Sequence, residues 1–274
     1  FVKIIEKFMT THTFKSKEEL LEAVNMWCEE DTGKEAEEKY GHISYWDTSK
    51  ITDMSNLFWN KCDFNDDISR WDVSNVTDMG AMFYQCINFN QPLNDWDVSN
   101  VWNMKSMFQW AEVFNQDIGA WDVSNVRNMG DMFVALEIFN QDISNWDVSN
   151  VKDMSGMFCK AFSFNQPIGS WDVSSVETME DMFNETQDFN QPLNEWDVSK
   201  VWDMTGMFCH TDNFNQPLDQ WDVSEVEYMS YMFKCAGSFN QDISGWDLSN
   251  IKRNNSMFKK ATNMIEENKP ILSP

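Results

Sequence analysis

Nine aspartates stand 25 residues apart, from Asp47 through Asp72, Asp97, Asp122, Asp147, Asp172, Asp197 and Asp222 to Asp247. A column of carboxylates can bind cations, accept hydrogen bonds or face a basic partner. If successive units stack about 4.8 Å apart, as paired strands do, neighbouring carboxylates repel by about 0.9 kcal/mol even in a water-like dielectric. Something must offset that repulsion. Backbone N–H groups and the Ser two residues on would serve, as would calcium between the rungs; contact with a partner is the third role. No stretch matches the D-x-[DN]-x-[DN]-G loop of a dedicated calcium site.

The other residue types capable of chemistry are sparse. Six cysteines (28, 62, 86, 159, 209 and 235) include no C-x-x-C pair, so zinc is not expected. Cys62 with Cys86, and Cys209 with Cys235, fall in adjacent units where a disulfide is geometrically admissible; free buried thiols are the other reading. His12, His42 and His210 are scattered, and no nucleophile, base and orienting group come together. There is no glycine-rich phosphate loop. Neither a catalytic residue nor a metal or cofactor is assigned, and the chain is expected not to be an enzyme.

Those aspartates belong to a repeat. Trp-Asp recurs at the same interval from Trp46 to Trp246 without insertion or deletion. Methionine columns run from Met54 to Met229 and from Met82 to Met257, and phenylalanine columns from Phe58 to Phe258 and Phe64 to Phe239. A fixed period between 20 and 50 residues marks a stacked or propeller architecture. A four-stranded blade needs about 40 residues, which excludes the propeller on length. Within one unit, Trp71 and Val73 alternate with Asp72 and Ser74, the two-residue period of a half-buried strand. Val76, Met79, Met82, Phe83 and Cys86 then recur at three or four residues, the apolar stripe of a short helix with Ser74 as its N-cap. The expected fold is therefore an α/β solenoid: a right-handed, leucine-rich-repeat-like array of nine strand-plus-short-helix units. Asn65 to Asn240 form a further column, read as structural, with stacked turn amides satisfying one another.

The string W-D-V-S-N-V-x-x-M-x-x-M-F followed by F-N-Q-(D/P)-(I/L) resembles the BspA-like leucine-rich repeat surface proteins, over residues 43–260. That resemblance implies a non-catalytic binding or adhesion array, exposed on a cell or particle surface and hence extracellular.

The ends are expected to cap the stack, because an array exposes an apolar cross-section at each end. Residues 1–42 are assigned to an N-terminal helical cap and lead-in. The capping box Ser16-Lys-Glu-Glu19 opens a helix over 16–30 whose stripe is Leu20, Leu21, Val24 and Trp27. Residues 31–42 are read as a polar connection, and residues before 16 as part of the cap or a partner-binding helix. Asn254 stands where other units carry Met, and 261–274 form a C-terminal cap or tail.

Partners follow from charge and from breaks in the repeat. The formal charge is −25, which argues against nucleic acid and anionic membrane. No run approaches the ~18 apolar residues of a membrane span. No secretory signal is read, although a chain opening on Phe1 leaves room for a processed N-terminus. Trp102 and Trp202 occupy a position that elsewhere holds Thr, Arg, Lys or Glu. They should face solvent, either flat on a neighbouring unit or as anchors for a partner. The candidate binding residues are thus Asp72, Asp97, Asp122, Asp147, Asp172, Asp197, Asp222, Trp102 and Trp202. The expected partner is a protein, cationic where it meets the aspartates, with permanent membership of a larger assembly as the alternative.

Overall fold

The structure is a computed structural model that describes residues 11–271. Two α-helices open it: α1, Lys17–Cys28, and α2, Gly33–Tyr40. The hydroxyl of Ser16 accepts from the Glu19 amide at the start of α1, whose buried residues are Leu20, Ala23 and Val24. The second helix corrects the reading of 31–42 as a connection. Its buried residues, Ala36 and Tyr40, lie four apart on one face of an otherwise charged segment. The expectation for residues 1–10 lies outside the described residues. Just after them, Thr13 makes a parallel bridge to Asp47, so the lead-in pairs with the first unit.

The nine units contain neither strand nor α-helix, and the α/β solenoid expected from the sequence is wrong. Among the described residues no α-helix follows Tyr40, and pairing is confined to isolated single-residue parallel bridges. Eight of those bridges link successive units, from Asp53 with Asp78 to Tyr228 with Arg253, six residues past the aspartate of each Trp-Asp pair. The alternation of Trp, Asp and Val is real in burial: Trp71 and Val73 are buried while Asp72 is exposed. Alternation reports which way side chains point, not what the backbone bonds to.

The segment read as a helix is a run of turns. The amides of Met82, Tyr84 and Cys86 donate to the carbonyls three residues before them, Met79, Ala81 and Phe83. Between them, the amides of Met79, Ala81, Phe83 and Gln85 donate along the stack to Asn103, Lys105, Met107 and Gln109, at 2.8–2.9 Å. The backbone can serve both directions because two residues per unit adopt left-handed dihedrals. These form two columns, Asn56 to Ser256 and Asn60 to Lys260, with φ between 53° and 63° throughout. A left-handed residue is disfavoured by roughly 1–2 kcal/mol and is incompatible with a continuing α-helix. Here the amide of each such residue up to Cys235 donates to the next unit, which offsets that strain and explains its persistence. An apolar period of three to four fits this turn run as well as a helix. Ser74 accordingly caps nothing; its amide and hydroxyl donate to Asp72.

The core is a set of stacked columns. Phe58, Phe83 and Phe108 lie face to face with centroids 5.5 Å apart, and Trp121, Trp146 and Trp171 repeat at 6.5 Å. In the Trp-Asp column, every Trp from Trp71 to Trp246 donates its indole N–H to the carbonyl 28 residues earlier, as Trp121 does to Leu93 at 2.9 Å. That bond explains why Trp stands in an apolar place that leucine could fill. The indole buries its body while satisfying a carbonyl of the preceding turn.

Candidate binding faces

The aspartate column is exposed from Asp72 to Asp247, yet each carboxylate is engaged by its own turn; Asp47 is partly covered by Thr13. Asp72, Asp97, Asp122 and Asp147 each accept from the amide and the hydroxyl of the Ser two residues on, the hydroxyl at 2.6 Å. Asp172, Asp197 and Asp222 accept from the corresponding amides at 3.0–3.1 Å. Hydrogen bonds from these serines hold the carboxyls of Asp122, Asp172 and Asp222 below the usual range. From Asp72 on, these carboxylates present a stripe to solvent.

The Asn column is a stitch between units. Asn65 Oδ1 accepts the Asn90 amide at 2.9 Å and the Gln91 amide group at 3.1 Å, and the pattern recurs to Asn240. The neighbouring backbone is bonded as the turn reading expects, but the side-chain amide that shares this oxygen is that of the following Gln, not the next Asn.

Trp102 and Trp202 project into solvent, 47 % and 43 % exposed, from the column beside the bridges. Trp202 meets the Tyr228 ring edge-on at 5.9 Å. The same column holds the ion pairs Lys152–Glu177 at 2.7 Å and Lys252–Glu227 at 2.6 Å, each between adjacent units.

A third feature was missed from sequence. Trp59, Trp110, Val113 and Ile138 are exposed large apolar residues in the first four units, and Trp59 packs edge-on against Tyr84 at 6.0 Å. In later units the corresponding columns carry polar residues such as Asn184, Glu185, Asp188, His210 and Lys234. The signal was present: Trp59 and Trp110 are two of the tryptophans that fall outside the Trp-Asp register.

The remaining candidates divide plainly. All six cysteines are free. Burial pushes the thiols of Cys28 and Cys209 up to about 11 and that of Cys159 up to about 12, away from the reactive range. Among the described residues no three His, Cys, Asp or Glu side chains are grouped to hold a metal ion. His12 bonds Glu19 at 2.8 Å within the lead-in. Asp131 and Asp181, like Glu180, depart from the other acids in the opposite direction. Burial raises both, and their Oδ1 atoms lie over Gly156 and Gly206, where an added Cβ would come within 2.4 and 2.0 Å.

A stack of 25-residue turn units with exposed polar and aromatic columns defines a repeat protein. The chain belongs to the family described as Mycoplasma protein of unknown function, DUF285, whose model matches residues 29–137, 115–216 and 190–271. No curated protein and no solved structure matches it. No helix among the described residues is long and apolar enough to cross a membrane.

Proposed function

We propose that this chain is a non-catalytic protein-binding array, related within its family to the BspA-like surface proteins and serving adhesion at a cell or particle surface. The observation that carries the reading is the exposure of Trp102 and Trp202 on a frame whose own stacking does not require them. Exposed tryptophan is costly unless a partner covers it, and it is the residue most enriched at interface anchors. The aspartate stripe beside this frame supplies the complementary electrostatics for a partner presenting Lys or Arg, with marked salt dependence.

The test is capture of a surface partner by the full chain and by the Trp102→Ala/Trp202→Ala variant. Loss of capture at unchanged thermal stability supports the reading. Unchanged capture, or recovery of the native protein only in a complex of fixed stoichiometry, overturns it.

A further inference from the structure

Every unit before the ninth hands four amides to its successor. Between the fifth and sixth units these run from Met154, Gly156, Phe158 and Lys160 to the carbonyls of Thr178, Glu180, Met182 and Asn184. The ninth unit has the same run, and its carbonyls accept from the eighth in the usual way, Tyr231 to Asn255 and Phe233 to Met257 among them. Among the described residues, however, the amides of Asn254, Ser256, Phe258 and Lys260 donate to nothing. The far side of the unit is closed: Ile265 and Asn268 bond Asn240, and the Ile243 amide bonds Asn268. The open stretch is therefore confined to the turn run. An unpaired, regularly spaced row of backbone donors is a template for another chain.

Charge singles out the same place. Residues 250–271 carry Lys252, Arg253, Lys259, Lys260 and Lys269 against Glu266 and Glu267, in a chain of net charge −25. Arg253, Lys259 and Lys260 are exposed, and none is in an ion pair among the described residues. Within the array, the lysine in the Lys260 column, Lys160, pairs with Glu185 of the next unit, a partner that Lys260 lacks.

We propose that the ninth unit docks an acidic segment of a partner protein in the turn conformation of the repeat itself. Four of its carbonyls accept from the amides of 254, 256, 258 and 260, and its carboxylates meet Arg253, Lys259 and Lys260. A regular extended strand fits less well, because the donor row has the pitch of a turn run containing left-handed Ser256 and Lys260. Two copies meeting through this edge would set donor against donor and cation against cation. A copy meeting it with its first unit is blocked by α1 and α2, which cover that end. The inference rests on the protein-binding reading but uses a different surface, so the two fail separately. Loss of the exposed tryptophans leaves this edge intact, and charge reversal here leaves the tryptophans intact.

The probe is a synthetic peptide of residues 171–195, which carries seven acidic and no basic residues and holds the carbonyls of Thr178, Glu180, Met182 and Asn184 in the required run. With the full chain, the expected result is saturable binding and at least tenfold slower hydrogen exchange at the amides of 254, 256, 258 and 260. Lys259→Glu/Lys260→Glu should weaken binding tenfold or more, and Lys152→Glu should not. Equal binding of the basic peptide 246–270 overturns the charge argument, and equal protection by polyglutamate overturns the turn pairing. Slow exchange at those amides in the free chain, with or without a dimer in sedimentation, shows the edge already covered and overturns the proposal.

Discussion

The two ends of the stack solve the same problem differently. At the first unit, α1 lays Leu20, Ala23 and Val24 over the apolar cross-section beside Phe14, and Lys17 ties the cap to Asp53 at 2.8 Å. At the ninth, a polar Asn254 replaces the repeat's Met, the Lys269 ammonium sits 5.6 Å over the half-buried Phe258 ring, and Pro270 is buried. One end is sealed by added structure. The other is made tolerable by local polarity, which quiets the side chains but leaves the backbone donors in place. Terminal units of a stack need a polar outer face, and the comparison shows that side-chain polarity and backbone satisfaction are separable requirements.

The contrast is sharpest when both ends are measured against the middle. Trp121→Ala in a central unit should cost about 3–5 kcal/mol and Met129→Ala about 2–5, as large-to-small core changes do, read by denaturant unfolding. At the sealed end, Leu20→Ala belongs to the same class, about 2–5 kcal/mol. At the open end, Phe258→Ala should cost about half as much or less, because its ring is already partly wet. Equal losses at Leu20 and Phe258 would erase the distinction between the ends. Smaller, and in the middle, Gly206→Ala combines a strained φ of 62° with a clash against Asp181, and should cost about 1–3 kcal/mol. The same change should cost less in an Asp181→Ala background, which a double-mutant cycle measures.

Two still smaller effects follow. Burial raises the carboxyls of Asp131 and Asp181, so folding favours their protonated forms. Their ionisation therefore weakens the fold as pH rises through the raised values, and Asp131→Asn should lift Tm at pH 7 by on the order of 1–2 °C. The gain should fade as pH falls below the ordinary carboxylate value of 3.8, where folding no longer changes the group's protonation. Asp122 has the opposite sign: its carboxyl is lowered by Ser124, so Asp122→Asn should remove stability above the usual carboxylate range and matter little in acid. Smallest of all, Trp102→Ala should change stability by no more than about 0.5 kcal/mol, as surface changes do. A larger loss would place that ring in the packing rather than on a face.

Much of the architecture was legible because the side-chain columns are its skeleton: the period, the buried Trp, Met and Phe positions and the exposed aspartates follow from spacing alone. The backbone was not legible. A helix stripe and a run of turns place apolar residues at the same three-to-four interval, and left-handed dihedrals at Ala81, Gln85 or Tyr231 leave no mark when the residue is not glycine. Only Gly156 and Gly206 betray one column, and the register of Asp131 and Asp181 above them is visible only in three dimensions. The short α2 was hidden because its buried face is only Ala36 and Tyr40. The exposed band of Trp59, Trp110, Val113 and Ile138 needed knowledge of which columns face outward.

The backbone, Asn-column and indole bonds that join units connect residues 24, 25, 26 or 28 positions apart, column to column. Removing or duplicating 25 codons within the array therefore leaves each backbone bond between units with an equivalent partner, whereas a length that is not a multiple of 25 puts the columns out of register across the junction. The gene for such a chain can lengthen or shorten by recombination between its own repeats, one rung at a time, with the core conserved at each step and the exposed columns reshuffled. A population of these proteins can differ in reach and in surface while sharing one packing solution.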